Sequence, residues 1–423
     1  MLSPKPRAAF PSLPDGSARE SGRRAAVEPR SFAPRDEAFE RLPGAVSTPW
    51  PQAWASLDPA QLIHVPPAAA NVQTPLDETL ARKRALIVIP CLNEAVLIES
   101  VIARVLEDDG LVDPLVLVAD GGSTDGSRQI VEAIAAHDPR VRLVDNPARL
   151  QSAGVNLAAR LMGEGRPWLV RVDAHAEYPR DYISTLIEEA RRTGAHSVVV
   201  AMETRGESAF QRAVAAAQNS RLGTGGAAHR VGREAGWVDH GHHALFRNDA
   251  FQAIGGYDES FSHNEDAELD LRLTHEGAKI WLTDRTRITY RPRKTPGALW
   301  KQYVSYGKGR ARTVLKHYTP LKMRQALPLA VAPAVVGALA APLYWPLAVP
   351  ALFWAMVTLA YGAALGFRQR DAAVLMSGPA AMIMHLGWSL GFWLQLLAWA
   401  AKGGRAGSKA ESRAGSRPVQ TTA

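Results

Sequence analysis

Between Arg84 and Tyr290 the chain alternates short, wholly apolar runs with amphipathic stretches. Ala85-Leu-Ile-Val-Ile-Pro90 is apolar throughout, as a strand buried on both faces of a parallel sheet requires. After Asn93-Glu94, apolar residues fall at Ile98, Val101, Ile102 and Val105, the spacing of one helix face. Leu115–Ala119 predicts a second strand and Val141–Val144 a third, separated by a helix with Ile130, Ile134 and Ala135 inward. Ser152 is placed to cap a helix over Ala153–Met162. Trp168–Asp173 reads as the fourth strand and Ser197–Ala201 as a further one, with Pro179 opening the helix between them. Strands and helices alternating across short connections predict an α/β doubly wound domain.

The pattern breaks on both sides of this domain. Residues 1–80 are rich in Pro, Ala, Arg and Ser without periodicity, which predicts a disordered or loosely attached extension with room for a short docking segment at Trp50–Trp54. From Gln325 to Phe367 no charged residue occurs. A run of about 40 residues is twice the ~20 that one membrane span needs, and Pro342, Trp345 and Pro346 offer a break between two spans. Arg368-Gln-Arg-Asp371 separates this run from a further apolar stretch, Ala372–Ala401. The expected organisation is therefore an extension over 1–80, a catalytic domain over 81–318, a membrane domain over 319–402 and a basic disordered tail over 403–423. Residues 294–318 form a basic flap or juxtamembrane segment within the second of these.

Lys316, Lys322 and Arg324 put the start of the apolar run in the cytoplasm, and Arg368 and Arg370 agree with two crossings. The basic tail after Lys402 does not agree with a third full crossing, which leaves a re-entrant or interfacial segment, or a tail on the outside, as alternatives and the span count open. The first thirty residues carry basic residues but no apolar core, so no secretory signal is expected. These readings predict a multi-pass membrane protein with its catalytic domain in the cytoplasm.

Composition adds little to this and removes some classes. The net charge of +8 over 423 residues would suit nucleic acid, but the basic residues are scattered and no basic-aromatic stripe tracks a phosphate backbone. A membrane surface or diphosphate ligands account for the charge, and no nucleic-acid partner is expected. The single cysteine, Cys91, rules out intrachain disulfides and fits a reducing compartment.

Candidate chemistry gathers where strands end. Trp168-Leu-Val-Arg-Val-Asp-Ala-His175 delivers Asp173 and His175 to the carboxyl edge of the sheet, where open α/β folds hold ligands. An Asp and a His two residues apart can turn to one cation; the plain alternative is a strand-end Asp capping a turn beside a solvated His. Gly121–Gly126 follows the second strand rather than the first, so it is no dinucleotide fingerprint, and no Walker loop occurs. His240, His242 and His243 lack a fourth ligand at zinc spacing. Glu265-Asp266 opens a helix, a position that the helix dipole favours for acids whatever their chemistry.

Taken in order, these pieces resemble the family-2 glycosyltransferases with the GT-A fold. The nearest resemblance is to the membrane-anchored succinoglycan-type glucosyltransferases of bacterial exopolysaccharide assembly. The matching segments are Ile87-Val-Ile-Pro-Cys-Leu-Asn-Glu94, Val118-Ala-Asp-Gly-Gly-Ser-Thr-Asp125, Arg171-Val-Asp-Ala-His175, Gly241-His-His-Ala-Leu-Phe-Arg247, Gly255-Gly-Tyr257 and Asn264-Glu-Asp266. The resemblance implies a GT-A type doubly wound mixed sheet and inverting transfer of a hexose, glucose, from a nucleotide diphosphate sugar, UDP-glucose, to a lipid-linked saccharide. By this resemblance Pro90, Glu94 and Asp120 line the nucleotide, and Asp173 and His175 stand where the family's D-x-D holds Mn²⁺ or Mg²⁺. Glu265 and His242 lie in its substrate-binding segments, and Asp266 matches the general base.

Three positions depart from the family pattern. Gly121 replaces a second acid before Gly-Ser, and His175 replaces the second acid of D-x-D, a nitrogen ligand that favours manganese somewhat. The Q-x-x-R-W signature of processive synthases is absent. In its region Gln302–Arg312 suggests a mobile flap over the diphosphate with Arg310 as its cation; a basic patch against anionic lipid is the competing account. Two other functions compete with the main one: a polyprenyl-phosphate glycosyltransferase of the dolichol-phosphate-mannose-synthase type, and a catalytically silent membrane scaffold.

Overall fold

The computed structural model describes residues 62–63, 83–227, 230 and 234–403. Chain order runs β1 (Ala85–Cys91), α1 (Ile98–Leu106), β2 (Leu115–Asp120), α2 (Ser127–His137), β3 (Val141–Asp145), α3 (Gln151–Met162), β4 (Trp168–Arg171) and β5 (Ala176–Glu177). It continues through α4 (Tyr182–Thr193), β6 (Ser197–Thr204), α5 (Ala209–Gln218), α6 (Arg221–Thr224), β7 (Gly236–Val238), β8 (His242–Arg247), α7 (Asn248–Ala253), α8 (Glu265–His275) and β9 (Ile280–Tyr290). Five more α-helices follow: α9 (Pro296–His317), α10 (Met323–Ala326), α11 (Val331–Ala338), α12 (Val349–Gln369) and α13 (Ser377–Ala401).

The strands make one sheet in the order β3-β2-β1-β4-β8-β6-β9-β5, with β7 beside β9. β3, β2, β1 and β4 run parallel, β8 is antiparallel to both β4 and β6, and β6 and β9 are parallel again. This is the mixed GT-A-like sheet. Every residue of β1 is buried, as its unbroken apolar run requires. Two apolar layers sandwich the sheet. One joins Ile98, Ile102 and Val105 of α1 to Val131 of α2 and Leu186 of α4; the other joins Ala153, Leu157 and Ala158 of α3 to Phe251, Leu269 and Leu273. Because β1, β2 and β4 point the same way, the loops that follow them open on one edge.

Several expectations are corrected. α3 starts at Gln151 and Ser152 is buried in its first turn rather than capping it. Pro179 precedes α4, which begins at Tyr182. In α2, Val131 rather than Ile130 is fully buried. The segment expected as a flap is α9, one continuous helix that Thr295 caps by accepting the Ala298 N–H and that Pro296 starts. Within the 1–80 extension, Leu62 is buried and Ile63 bridges Val144 on β3; Trp50–Trp54 lies outside the described residues, as does most of the tail expected over 403–423.

The apolar C-terminal region also differs from two spans over Gln325–Phe367. Its first half is a short helix over Met323–Ala338, and among the described residues only Trp345–Gln369 and Ala372–Ala401 are long and apolar enough to cross a membrane. Pro328 stands in a 3₁₀ turn that interrupts the first half. Leu352, Phe353, Met356 and Phe367 of α12 are all exposed. An apolar face of that size suits lipid rather than water, so the protein is membrane-associated.

Candidate active site

The loops after β1 and β2 are tied to each other. Asn93, at φ 59°, accepts the Thr124 N–H on its side-chain oxygen at 2.8 Å, and its own N–H donates to the Ser123 hydroxyl at 2.9 Å. Glu94 N–H donates to Ser127 Oγ at 2.8 Å. Asp120 at the end of β2 is 2% exposed and accepts the Ser123 hydroxyl at 2.6 Å and the Ser123 N–H at 3.1 Å. Arg128 approaches its other oxygen at 3.4 Å. The carboxylate of Asp120 thus shapes its own loop, and Pro90 is buried within β1. Of the residues expected along the nucleotide, Glu94 is the one with an open side chain.

β4 ends at Arg171, and Asp173 follows two residues on. Asp173 meets three groups: Arg171 Nε at 3.1 Å, His242 Nε2 at 3.7 Å, and the Tyr178 hydroxyl, which accepts its N–H at 2.7 Å. Burial pushes its carboxyl up, but Arg171, then His242 and His175, outweigh that and hold it down at about 2. His175 Nδ1 stands 3.3 Å from Glu94 Oε1, and that hydrogen bond raises the imidazole pKa against the effect of burial. His242 is lowered to about 4 by burial, despite Asp173 and Asp266 nearby.

Glu265 and Asp266 enter from the far side of the sheet, on the first turn of α8. Asn264, at φ 67°, makes the reversal that aims this turn inward, and its side chain is held by Thr313 Oγ1 of α9 at 2.8 Å. Asp266 accepts from Arg171 Nη1 at 2.9 Å and from the Tyr257 hydroxyl at 3.0 Å. Tyr257 is placed by Asn156, which accepts its N–H at 2.8 Å and donates to its carbonyl at 2.9 Å. Glu265 Oε1 lies 3.6 Å from Arg171. Burial, then the Asp266 charge, hold Glu265 above the usual carboxylate range.

Arg171 is therefore the hub that the sequence reading passed over. The residue is 5% exposed, and its guanidinium links Asp173, Asp266 and, through Nη2 at 3.0 Å, Gln151. The available signal was a charged residue inside an otherwise apolar strand. Asp173 and Asp266, far apart in sequence, stand on two prongs of one fork. Arg171→Met would leave buried carboxylates uncompensated and is expected to cost about 3–5 kcal/mol of stability. Chemical denaturation of the detergent-solubilised protein measures this, and wild-type stability would show that the carboxylates find other partners.

The histidine cluster separates. His240 Nδ1 pairs with the buried Asp270 at 2.6 Å while His242 faces Asp173. A Cβ on Gly241 would run into the Val199 side chain, which accounts for glycine between them. Arg310 is not brought to the donor-side residues; its charged neighbours are Arg324, Asp270 and Asp239, and burial followed by Arg324 lowers it to about 10. Among the described residues no group of three or more His, Cys, Asp or Glu side chains gathers to hold a metal. Asp173 and His175 offer an oxygen and a nitrogen, a donor pair that fits a divalent ion only when ligand oxygens complete its shell.

The sequence model of glycosyl transferase family 2 matches residues 86–255, which hold Glu94, Asp120, Arg171, Asp173 and His242. Succinoglycan biosynthesis protein ExoA of Rhizobium meliloti (strain 1021) is 52% identical over 320 residues, covering 76% of this chain and 97% of that protein. The chain belongs to glycosyl transferase family 2. As a family member it is a glycosyltransferase, an enzyme with a sugar donor and an acceptor. More distant solved structures include the mannosyltransferase PcManGT from Pyrobaculum calidifontis in complex with GDP-Man and Mn²⁺. It has a TM-score of 0.49 and 19% identity, over 72% of this chain and 86% of that one. S. aureus TarS residues 1–349 align with a TM-score of 0.39 and 13% identity, over 74% and 91%.

Proposed function

We propose that this family-2 enzyme transfers glucose from UDP-glucose to a lipid-linked saccharide during exopolysaccharide assembly, with inversion, at the cytoplasmic face of the inner membrane. The observation that carries the proposal is the convergence of the Asp173 and Asp266 carboxylates on Arg171, which supports reading one as the donor-side acid and the other as the proton acceptor of a single site. Glucose and exopolysaccharide rest on the 52% identity to the succinoglycan protein. The lipid-linked acceptor rests on the exposed apolar helices beside the domain, which hold the enzyme at the surface where such acceptors reside.

In this scheme Asp266 accepts the proton of the acceptor hydroxyl while that oxygen attacks the sugar carbon opposite the departing diphosphate. No covalent sugar–enzyme intermediate is needed, and one displacement inverts the carbon. A divalent cation, Mn²⁺ or Mg²⁺, would be held by Asp173 and His175 and would neutralise charge on the leaving diphosphate. Glu94 orients His175 through their hydrogen bond, and Arg171 keeps Asp266 and Asp173 at a set separation.

Membranes containing the enzyme, supplied with labelled UDP-, GDP- and dTDP-sugars and Mn²⁺ or Mg²⁺, test the scheme. The expected product is a diphosphate-linked oligosaccharide lipid formed from UDP-glucose, with the anomeric configuration inverted by NMR. A lipid carrying one sugar on a monophosphate would replace this acceptor with polyprenyl phosphate.

A further inference from the structure

Among the described residues two helices are apolar and long enough to cross a membrane, yet their packing describes another arrangement. α13 lies along the catalytic domain instead of leaving it. Ala380, Ala381 and Met384 pack with Val214 and Ala217 of α5 and Leu299 of α9. His385 Nε2 is 2.7 Å from the carbonyl oxygen of Leu222 in α6. Gly391 abuts the Val304 backbone and Gly307 the Trp388 backbone so closely that neither leaves room for a Cβ. α9 is itself fastened to the domain: Gln302 donates to the Tyr290 hydroxyl at 3.0 Å, and Lys316 reaches Asp258 at 2.7 Å. From Ala380 to Phe392 is about 20 Å of helix at ~1.5 Å per residue. What remains, Trp393 to Ala401, is about 13 Å long at the same rise. That is less than half of a ~30 Å hydrocarbon core.

α12 forms the next layer out. Gly362 backs onto Gly378 and Gly366 onto Leu375, and Trp354 Nε1 lies 3.3 Å from His385 Nδ1. Packed helices lie about 8–10 Å apart, so this part of α12 stays one helix diameter from a helix that touches the domain. The intervening segment also leaves and rejoins the same body. Lys322 pairs with Asp239 at its start, and Asp371 pairs with Arg212 of α5 at 2.9 Å at its end. Tyr344 and Trp345, both exposed, stand between α11 and α12, aromatic residues of the type that settles at headgroup level.

We propose that the protein is monotopic: α11, α12 and α13 lie along the membrane plane and sink their outer apolar face into the acyl chains of one leaflet. Neither long helix crosses, and the end of α13 at Lys402 stays on the catalytic side. The inference rests on membrane association itself and replaces the expected multi-pass topology. It has a consequence for the site. α9, which rides on α13, abuts the His263 backbone through Gly309 and holds Asn264 through Thr313, directly ahead of Glu265 and Asp266. The candidate base is thus supported by the helix that sits on the membrane layer.

Single added cysteines in the full chain, Leu343→Cys, Lys402→Cys and, as a catalytic-domain marker, Arg191→Cys, test this with a membrane-impermeant maleimide on spheroplasts and on inverted vesicles. All three positions are exposed, and the native Cys91 is buried. Lys402→Cys is expected to react from the same face as Arg191→Cys, and Leu343→Cys to show no reaction from the opposite face. Reaction of Leu343→Cys or Lys402→Cys from the opposite face overturns the proposal. Recovery of the wild-type chain in the soluble fraction without detergent overturns membrane association as well, and so separates the two failures.

Discussion

Asp266→Asn is expected to lower turnover by roughly 10²–10⁴-fold while leaving donor binding measurable. The amide keeps the shape of the carboxylate and can still accept from Tyr257 and Arg171, so the fold of the site survives. What it loses is the capacity to take a proton from the acceptor hydroxyl. The carboxylate stands on the first turn of α8, aimed by the left-handed turn at Asn264 and braced by Tyr257 at 3.0 Å. Steady-state kinetics with UDP-glucose, paired with calorimetry of donor binding, separates loss of chemistry from loss of affinity. Turnover close to wild type would remove Asp266 as the base.

Asp173→Ala is expected to weaken metal-dependent nucleotide binding by at least about 10–100-fold, the scale on which even outer-sphere partners act at metal sites. The carboxylate held near a pKa of about 2 is fully ionised at neutral pH, as a cation ligand must be. His175 alone, more than two-fifths exposed in its side chain, would offer one nitrogen. Calorimetric titration of UDP with and without Mn²⁺ reads the effect directly. Unchanged affinity and an unchanged response to the ion would exclude Asp173 from the donor site. Asp173→Asn, which retains the Arg171 contact geometry, distinguishes a lost ligand from a disturbed hub.

Much of the catalytic half was legible because its signals are local. The all-apolar run of β1, the helix-face spacing of Ile98 to Val105 and the polar breaks after β1, β2 and β4 each depend on a few adjacent residues. Asp173 and Asp266 were legible because each sits at the end or start of such an element. Arg171 was not, since its meaning lies in partners from α3, the Asp173 turn and α8 that come together only across the folded sheet. The flap failed in the opposite direction: glycines and cations at Gln302–Arg312 suggested a mobile segment, but the segment is a helix packed against α13.

The amino-acid pattern settles which segments become strands and helices, where their polar ends lie, and that the C-terminal stretch is too apolar for water. Those properties follow from period, burial and side-chain chemistry within one element. Folding decides which distant ends meet: one guanidinium gathers Asp173 and Asp266, and Asp120 is spent on its own loop. It likewise decides where the apolar helices go. Hydropathy measures length and composition alone, whereas the contacts of α13 with α5, α6 and α9 set the direction in which that length can extend.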